Sequence, residues 1–218
     1  MTVQFTDDIC LDARRRDFTV NAIYYDIING KIVDIFNGIA DLENKILRTT
    51  VNPDQVFSED GLRILRLVRL VSELNFLISP ETYESAVKNV RLLKDIAAER
   101  IMIELEKILD SDSKYGMEYA HYKGVKTLNE MGILKLIFPS VKSFNIEIIK
   151  DCGRGLRLAA LLINSENTFQ CILNDARNLK MRKEDITFIR RLKQLHDTRI
   201  CDNIQAVEIV VDNIDVID

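Results

Sequence analysis

A chain of 218 residues, 47% hydrophobic and 29% charged, can bury one large core or two small ones, which excludes a disordered tail. Its formal charge of −4 excludes nucleic-acid affinity from global charge and leaves that role to a local basic patch. Only 3 prolines and 8 glycines punctuate it, so long helices are expected. Cys10, Cys152, Cys171 and Cys201 form no C-x-x-C clip. With His121 and His196 the only histidines, no zinc site is expected and the thiols read as reduced. No apolar run reaches the ~18 residues of a membrane span. The acidic N-terminus lacks the plan of a signal peptide. The expectation is a soluble, cytoplasmic protein without membrane contact.

Residues 20–28 are rich in β-branched and aromatic side chains, and Asn29-Gly30 separates them from a second such run at 31–36. That order predicts a β-hairpin. Two strands make no stable sheet alone, so the hairpin either packs on helices or edges a larger sheet. Residues 39–43 read as a short helical turn. From 58 the chain turns helical, with Ser58 as the expected N-cap and Glu59 and Asp60 in the first turn. Leu62, Leu65 and Val68 form an apolar stripe, flanked by Ile64, Leu67 and Val71. Ser79-Pro80 opens another helix. Further helices are expected over 97–109, 115–131, 156–163, 168–179 and 183–196, with a break at Phe138-Pro139. Residues 202–218 form a weakly amphipathic tail without a clear place.

Two groups of residues can carry chemistry. The first is Arg14-Arg15-Arg16-Asp17. Guanidinium forks suit phosphate oxygens, and Asp17 can orient one of them. Taken alone, the triplet fits a solvated basic loop better. The second is Arg63, Arg66 and Arg69, spaced by three. On an α-helix they share one face of about 120°, with Asp60 on it and the apolar residues opposite. An exposed salt-bridged face has the same pattern. An Asp–Arg pair has a further property. Cytosine and adenine present an exocyclic amine beside an acceptor ring nitrogen, whereas uracil and guanine present a carbonyl there. A desolvated Asp60–Arg63 pair can therefore accept C and A and reject U and G.

At these residues the sequence resembles a known family. Residues 15–22, Arg-Arg-Asp-Phe-Thr-Val-Asn-Ala, resemble the RRDFTxNA motif of class II tRNA nucleotidyltransferases (CCA-adding enzymes) and bacterial poly(A) polymerases. Asp34, Gly38, Asp41-Leu42 and Leu47-Arg48 resemble their D-x-x-x-G-x-x-D-L…R motif. Phe57-Ser58-Glu59-Asp60 with Arg63 and Arg66 resembles F-x-E-D-x-x-R-x-x-R. Glu99-Arg100-Ile101, Glu104 and Lys107 resemble the E-R-I-x-x-E-x-x-K of the neck. Tyr24-Tyr25 leans towards the poly(A) side.

The resemblance implies a mainly α protein: the C-terminal part of a nucleotidyltransferase α/β head, here a β-hairpin, followed by all-helical neck and body domains. The implied divisions are 1–57 (head), 58–110 (neck) and 111–218 (body). It implies that Arg16 contacts ribose or phosphate, that Asp60 and Arg63 read the base, and that Arg66 and Arg69 assist with phosphate or ribose. Arg15, Asp17, Asn21 and Glu59 would support them, and Glu99 and Arg100 would brace the neck. ATP and CTP are the implied substrates and the 3′ end of RNA, a tRNA, the implied partner. The family's G-G-x-V-R-D loop and D-x-D pair, which hold Mg²⁺, precede the RRDFT motif. The 14 residues before Arg15 contain neither, so no catalytic or metal-binding residue is expected here. Asp110-Ser111-Asp112 reads as a linker between helices. The readings left open are a CCA-adding enzyme whose head segment lies elsewhere or on a separate chain, a poly(A) polymerase fragment, and a non-catalytic nucleotide- or RNA-binding remnant.

Overall fold

The computed structural model describes residues 6–163 and 169–197, the last three by backbone alone. The tail at 202–218, Cys201 and the His196 side chain lie outside that description. The chain divides into two compact units after Ile133.

In the first unit, α1 (Ile9–Arg15) is capped by Asp8, whose carboxylate accepts from the Cys10 and Leu11 amides. A 3-10 turn over Thr19–Asn21 follows. Then β1 (Ile23–Asp26) pairs antiparallel with β2 (Lys31–Asp34), with Asp26 opposite Lys31. The expected hairpin is present, with two corrections. Its first strand starts at Ile23, because the Asn21 and Ala22 amides turn back onto the Phe18 and Thr19 carbonyls. Its loop runs over 27–30, with the Asp26 carboxylate accepting from the Ile28 and Asn29 amides and the Asn29 side chain. Among the described residues this sheet has two strands, and Tyr25, Ile27, Ile28 and Ile32 are exposed on it.

After α2 (Gly38–Glu43), β3 (Ile46–Leu47) pairs in parallel with β4 (Leu77–Ile78). Between these strands lie α3 (Pro53–Glu59) and α4 (Leu62–Leu74). Ser58 is therefore inside α3 and not an N-cap; its hydroxyl donates to the Gln55 carbonyl of its own helix at 2.9 Å. The cap that starts α3 is Asn52, which accepts from the Asp54 and Gln55 amides, with Pro53 at the first helical position. Asp60 is extended between the two helices and accepts from the Leu62 amide.

Ser79 caps α5 (Pro80–Asn89) as expected, its side chain accepting from the Thr82 amide. Then come α6 (Ala98–Leu109), the short α7 (Asp112–Tyr115) and α8 (Ala120–Glu130). The helix expected over 115–131 thus begins later, at Ala120, and Tyr115 instead ends α7. Gly116 and Tyr119 both take left-handed φ, at 64° and 57°, which ends α7 and delays α8.

Helix α4 is the axis of this unit. Leu62, Ile64, Leu65, Leu67, Val68 and Val71 are all buried. At its far end the Ser72 hydroxyl donates to the Ala120 carbonyl at 2.7 Å, which ties α4 to α8.

At the boundary lies α9 (Ile133–Ile137), and the second unit adds α10 (Arg157–Ile163), α11 (Phe169–Asn178) and α12 (Lys183–Asp197). The expected break at Phe138-Pro139 follows α9 directly. Buried Asp175 accepts from both the Ser140 amide and hydroxyl at 2.8 and 3.0 Å, fixing the loop after the break. No described helix is long and apolar enough to cross a membrane. The molecule is mainly α, with a minor β-hairpin, as the sequence predicts.

Candidate functional site

Along α4, only Arg63, Arg66 and Arg69 break the run of buried residues from Gly61 to Leu70. They face a cavity of about 730 Å³, within the range that small-molecule sites occupy. Arg15, Arg16, Asp17, Asn21 and Asp60 line the same cavity, and so do Glu73, Lys114 and Tyr115. Its wall carries six cationic side chains against three carboxylates, a local basic patch in a chain of net charge −4. Such a wall suits an anionic ligand.

The segment 16–19 is stitched to 48–50. The Thr19 amide donates to the Arg48 carbonyl at 2.9 Å, and the Thr50 hydroxyl to the Arg16 carbonyl at 2.7 Å. The second motif explains itself here. Asp34 caps α2 through the Gly38 and Ile39 amides, each at 2.8 Å. A Cβ on Gly38 would stand 2.3 Å from the Thr19 carbonyl oxygen, so only glycine lets the two segments meet. Buried Asp41 accepts from the Thr19 hydroxyl at 2.8 Å and faces Arg48 at 3.3 Å.

Each predicted residue has a defined place. Asp17 is buried and receives the Phe18 amide and the Asn21 side chain on one oxygen, and Arg66 at 2.7 Å on the other. Arg63 donates to the Val56 and Arg15 carbonyls and to Glu59, at 3.0, 2.9 and 2.9 Å. Three of its five donors are thereby engaged, and two remain. Asp60 also receives Arg100 at 2.8 Å, which joins the start of α6 to the start of α4. Glu99 stands exposed beside Arg100 in the first turn of α6.

Arg16 reaches Asp12 at 3.0 Å, and the Tyr24 hydroxyl donates to the same Asp12 oxygen at 2.8 Å. The Tyr24 hydrogen bond, then Arg16, holds the Asp12 carboxyl below its usual range. Tyr24 is raised, by burial first and by that bond to Asp12 second.

At the far end of the cavity sequence reasoning named Arg69 but missed Glu73, Lys114 and Tyr115. There Arg69 lies 3.2 Å from Glu104 and 4.0 Å from Glu73, both buried carboxylates. Lys107 and Lys114 reach Glu104 and Glu73 respectively, each at 2.9 Å. The hydrogen bond that Lys114 donates to Glu73 raises the Lys114 pKa, so this lysine stays charged. The available signal was Lys114-Tyr115-Gly116, a cation, an aromatic and a helix terminator between two helices. Among the described residues no group of three or more His, Cys, Asp or Glu side chains could hold a metal ion. Asp110 closes α6 at its C-cap, Ser111 is the N-cap position of α7 and Asp112 its first residue.

The fold and cavity define a helical protein with a cation-lined cavity along one helix. Comparison with known proteins narrows this. The family described as the poly(A) polymerase head domain matches residues 1–48, and the probable RNA- and SrmB-binding site of polymerase A matches 75–145. The CCA-adding enzyme of Bacillus velezensis is 32% identical over 169 residues, 74% of this chain and 40% of that protein. That of Bacillus subtilis is 44% identical over 107 residues, 49% of this chain and 27% of that protein. The Bacillus stearothermophilus CCA-adding enzyme, solved in complex with CTP, superposes with a TM-score of 0.67 at 28% identity. That superposition covers 89% of this chain and 49% of the other. The chain belongs to the nucleotidyltransferase family of CCA-adding enzymes and bacterial poly(A) polymerases. It spans less than half the length of the curated relatives named here.

Proposed function

We propose that this chain supplies the nucleotide-recognition half of a template-independent RNA nucleotidyltransferase that adds CMP and AMP to tRNA 3′ ends. The observation that carries the reading is Asp60 beside Arg63 in a cavity lined with cations. Asp60 already accepts from the Leu62 amide and Arg100, and an ionised carboxylate has about four acceptor sites. Capacity remains for an exocyclic amine. The two remaining donors of Arg63 suit the neighbouring ring nitrogen or carbonyl. Cytosine and adenine meet both demands, and uracil and guanine leave Asp60 facing a carbonyl oxygen.

Arg16, Arg66 and Arg69 line the same cavity and would meet ribose and phosphate oxygens, with Arg15 beside them as a supporting residue. Asp17 holds Arg66, Asn21 holds Asp17, and Glu59 holds Arg63, so the supporting residues act on the contacting ones. Glu99 and Arg100 belong to the brace on α4, with Arg100 acting through Asp60. The similarity to a CTP-bound CCA-adding enzyme supports nucleotide triphosphates as ligands. The Mg²⁺ that such an enzyme uses finds no ligand set among the described residues. Its ligands belong to the head segment with its D-x-D pair, on this or a separate chain.

Calorimetric titration of the chain with each of the four nucleoside triphosphates tests the reading. ATP and CTP should bind more tightly than GTP and UTP. Asp60→Ala should remove most of that preference, about 1–3 kcal/mol for a paired base contact. Equal affinity for all four sinks the base-reading role, and binding of ATP without CTP moves the reading to poly(A) synthesis.

A further inference from the structure

The cavity wall extends past the residues assigned to the incoming nucleotide, to Glu73, Lys114 and Tyr115. Asp60 and Arg63 stand at the N-terminal end of α4 and Glu73 at its C-terminal end, with all three on the cavity wall. Glu73 lies four residues beyond Arg69, the last residue assigned to the incoming nucleotide, about 6 Å further along the helix. Stacked nucleotides advance about 3.4 Å each, so the stretch beyond Arg69 has room for the base of a neighbouring nucleotide.

That end carries its own equipment. Tyr115 lines the cavity and is 56% exposed. The Lys114 ammonium lies 5.2 Å from the centre of the Tyr115 ring and is held at 2.9 Å by buried Glu73. An exposed ring paired with an anchored cation matches how proteins hold single-stranded nucleic acid: a base stacks on the aromatic and the cation meets the backbone. Position adds a reason. Transfer to an RNA end requires the 3′-hydroxyl within about 3.5 Å of the reacting phosphorus, so the RNA's last nucleotide must lie beside the incoming one. The wall next to the base-reading pair is the place where that nucleotide can be received.

We infer that Lys114 and Tyr115, on the short helix between α6 and α8, form the subsite for the 3′-terminal nucleotide of the acceptor RNA. Tyr115 supplies a stacking face and Lys114 a backbone contact. Glu73 is a positioning residue that acts through Lys114. The inference rests on the proposed nucleotide pocket but is tested separately from it.

The test uses a fluorescently labelled single-stranded RNA ending in cytidine, with affinity read by anisotropy at low salt. ATP and CTP binding is measured in parallel. Tyr115→Ala should weaken RNA binding about tenfold, the scale of one lost stack, and leave ATP and CTP within twofold. Tyr115→Phe should keep RNA affinity within twofold, because the ring survives. Lys114→Ala should weaken RNA binding and lower the salt dependence by about one counterion. Unchanged RNA affinity in Tyr115→Ala, or no RNA binding by the wild type, overturns the subsite. A parallel loss of ATP binding in Tyr115→Ala also overturns it, by making Tyr115 part of the incoming-nucleotide site. Equal binding of all four triphosphates overturns the base-reading pair instead, so the two failures are distinguishable.

Discussion

Arg66 meets Asp17 at 2.7 Å across 49 residues of sequence, and this contact fixes the RRDFT segment on α4. Asp17 is 5% exposed and Arg66 is half-exposed, so the pair sits at the edge of water. Deleting Asp17 strands a guanidinium that can still be hydrated, which trims the cost below that of a fully buried pair. It also leaves the Phe18 amide and the Asn21 side chain without their acceptor. Asp17→Ala should destabilise the chain by about 2 kcal/mol, from the lost hydrogen bonds to a charged group. Urea midpoints measure this. A loss as small as that of a surface substitution would show that the contact does not hold the segment.

That contact also marks what a reader of the sequence can and cannot see. The Ser79-Pro80 cap was legible because it involves three neighbouring residues. Asn52-Pro53 carries the same local signal, yet Ser58 drew attention as the helix start. Which cap is used depends on the chain bending at Asp60, and that bend is set by tertiary packing. The arginine face of α4 was legible from its spacing of three, and the base-reading pair from the chemistry of Asp and Arg. The partners that fix them were not: Arg63 on the Arg15 carbonyl, Asp60 on Arg100 and Arg66 on Asp17 each join segments at least 40 residues apart. Lys114 and Tyr115 reach the cavity only because α7 folds back beside the end of α4, which no local pattern encodes.

Gly61 controls the bend at Asp60. A Cβ there would stand 2.9 Å from Leu92 Cβ and 3.0 Å from the Leu92 carbonyl oxygen. One of those neighbours is backbone, so the chain itself must move. Gly61→Ala should cost about 1–3 kcal/mol as an overpacked site. It should also shift Asp60 away from Arg100 and blunt the preference for ATP and CTP over GTP and UTP. A variant that keeps both its urea midpoint and that preference would place the control of Asp60 elsewhere.

Gly124 makes a comparable demand on the core. Its Cβ would come 2.6 Å from Ile108 Cγ2 and 2.7 Å from the Ser72 hydroxyl, where α4, α6 and α8 converge. Gly124→Ala should therefore destabilise by about 1–3 kcal/mol despite the better helix propensity of alanine. Gly155, with nothing within 4 Å of its Cβ, is the control. Gly155→Ala should stay within about 0.5 kcal/mol, as open sites do. Equal effects at the two glycines would show that close packing at α8 is not what Gly124 provides.

Asp54 gives the molecule a pH dependence whose sign can be worked out. In the first turn of α3 it receives Lys88 at 2.7 Å, the Ser85 hydroxyl and the Asn89 side chain, all from α5. Lys88 foremost, then Ser85 and Asn89, lower its pKa from 3.8 to about 2. The folded value is below the unfolded one, so the charged form is favoured by folding. Its contribution is complete above pH about 4 and is lost as pH falls through about 2. Asp54 is open to water, so the effect is modest and screened by salt. The difference in urea midpoint between wild type and Asp54→Asn should be constant from pH 7 to about 5. It should shrink as pH falls below about 4, and Lys88→Ala should shrink it at every pH. A difference that grows as pH falls would mean that the α5 side chains favour the protonated carboxyl, the reverse of the clamp described.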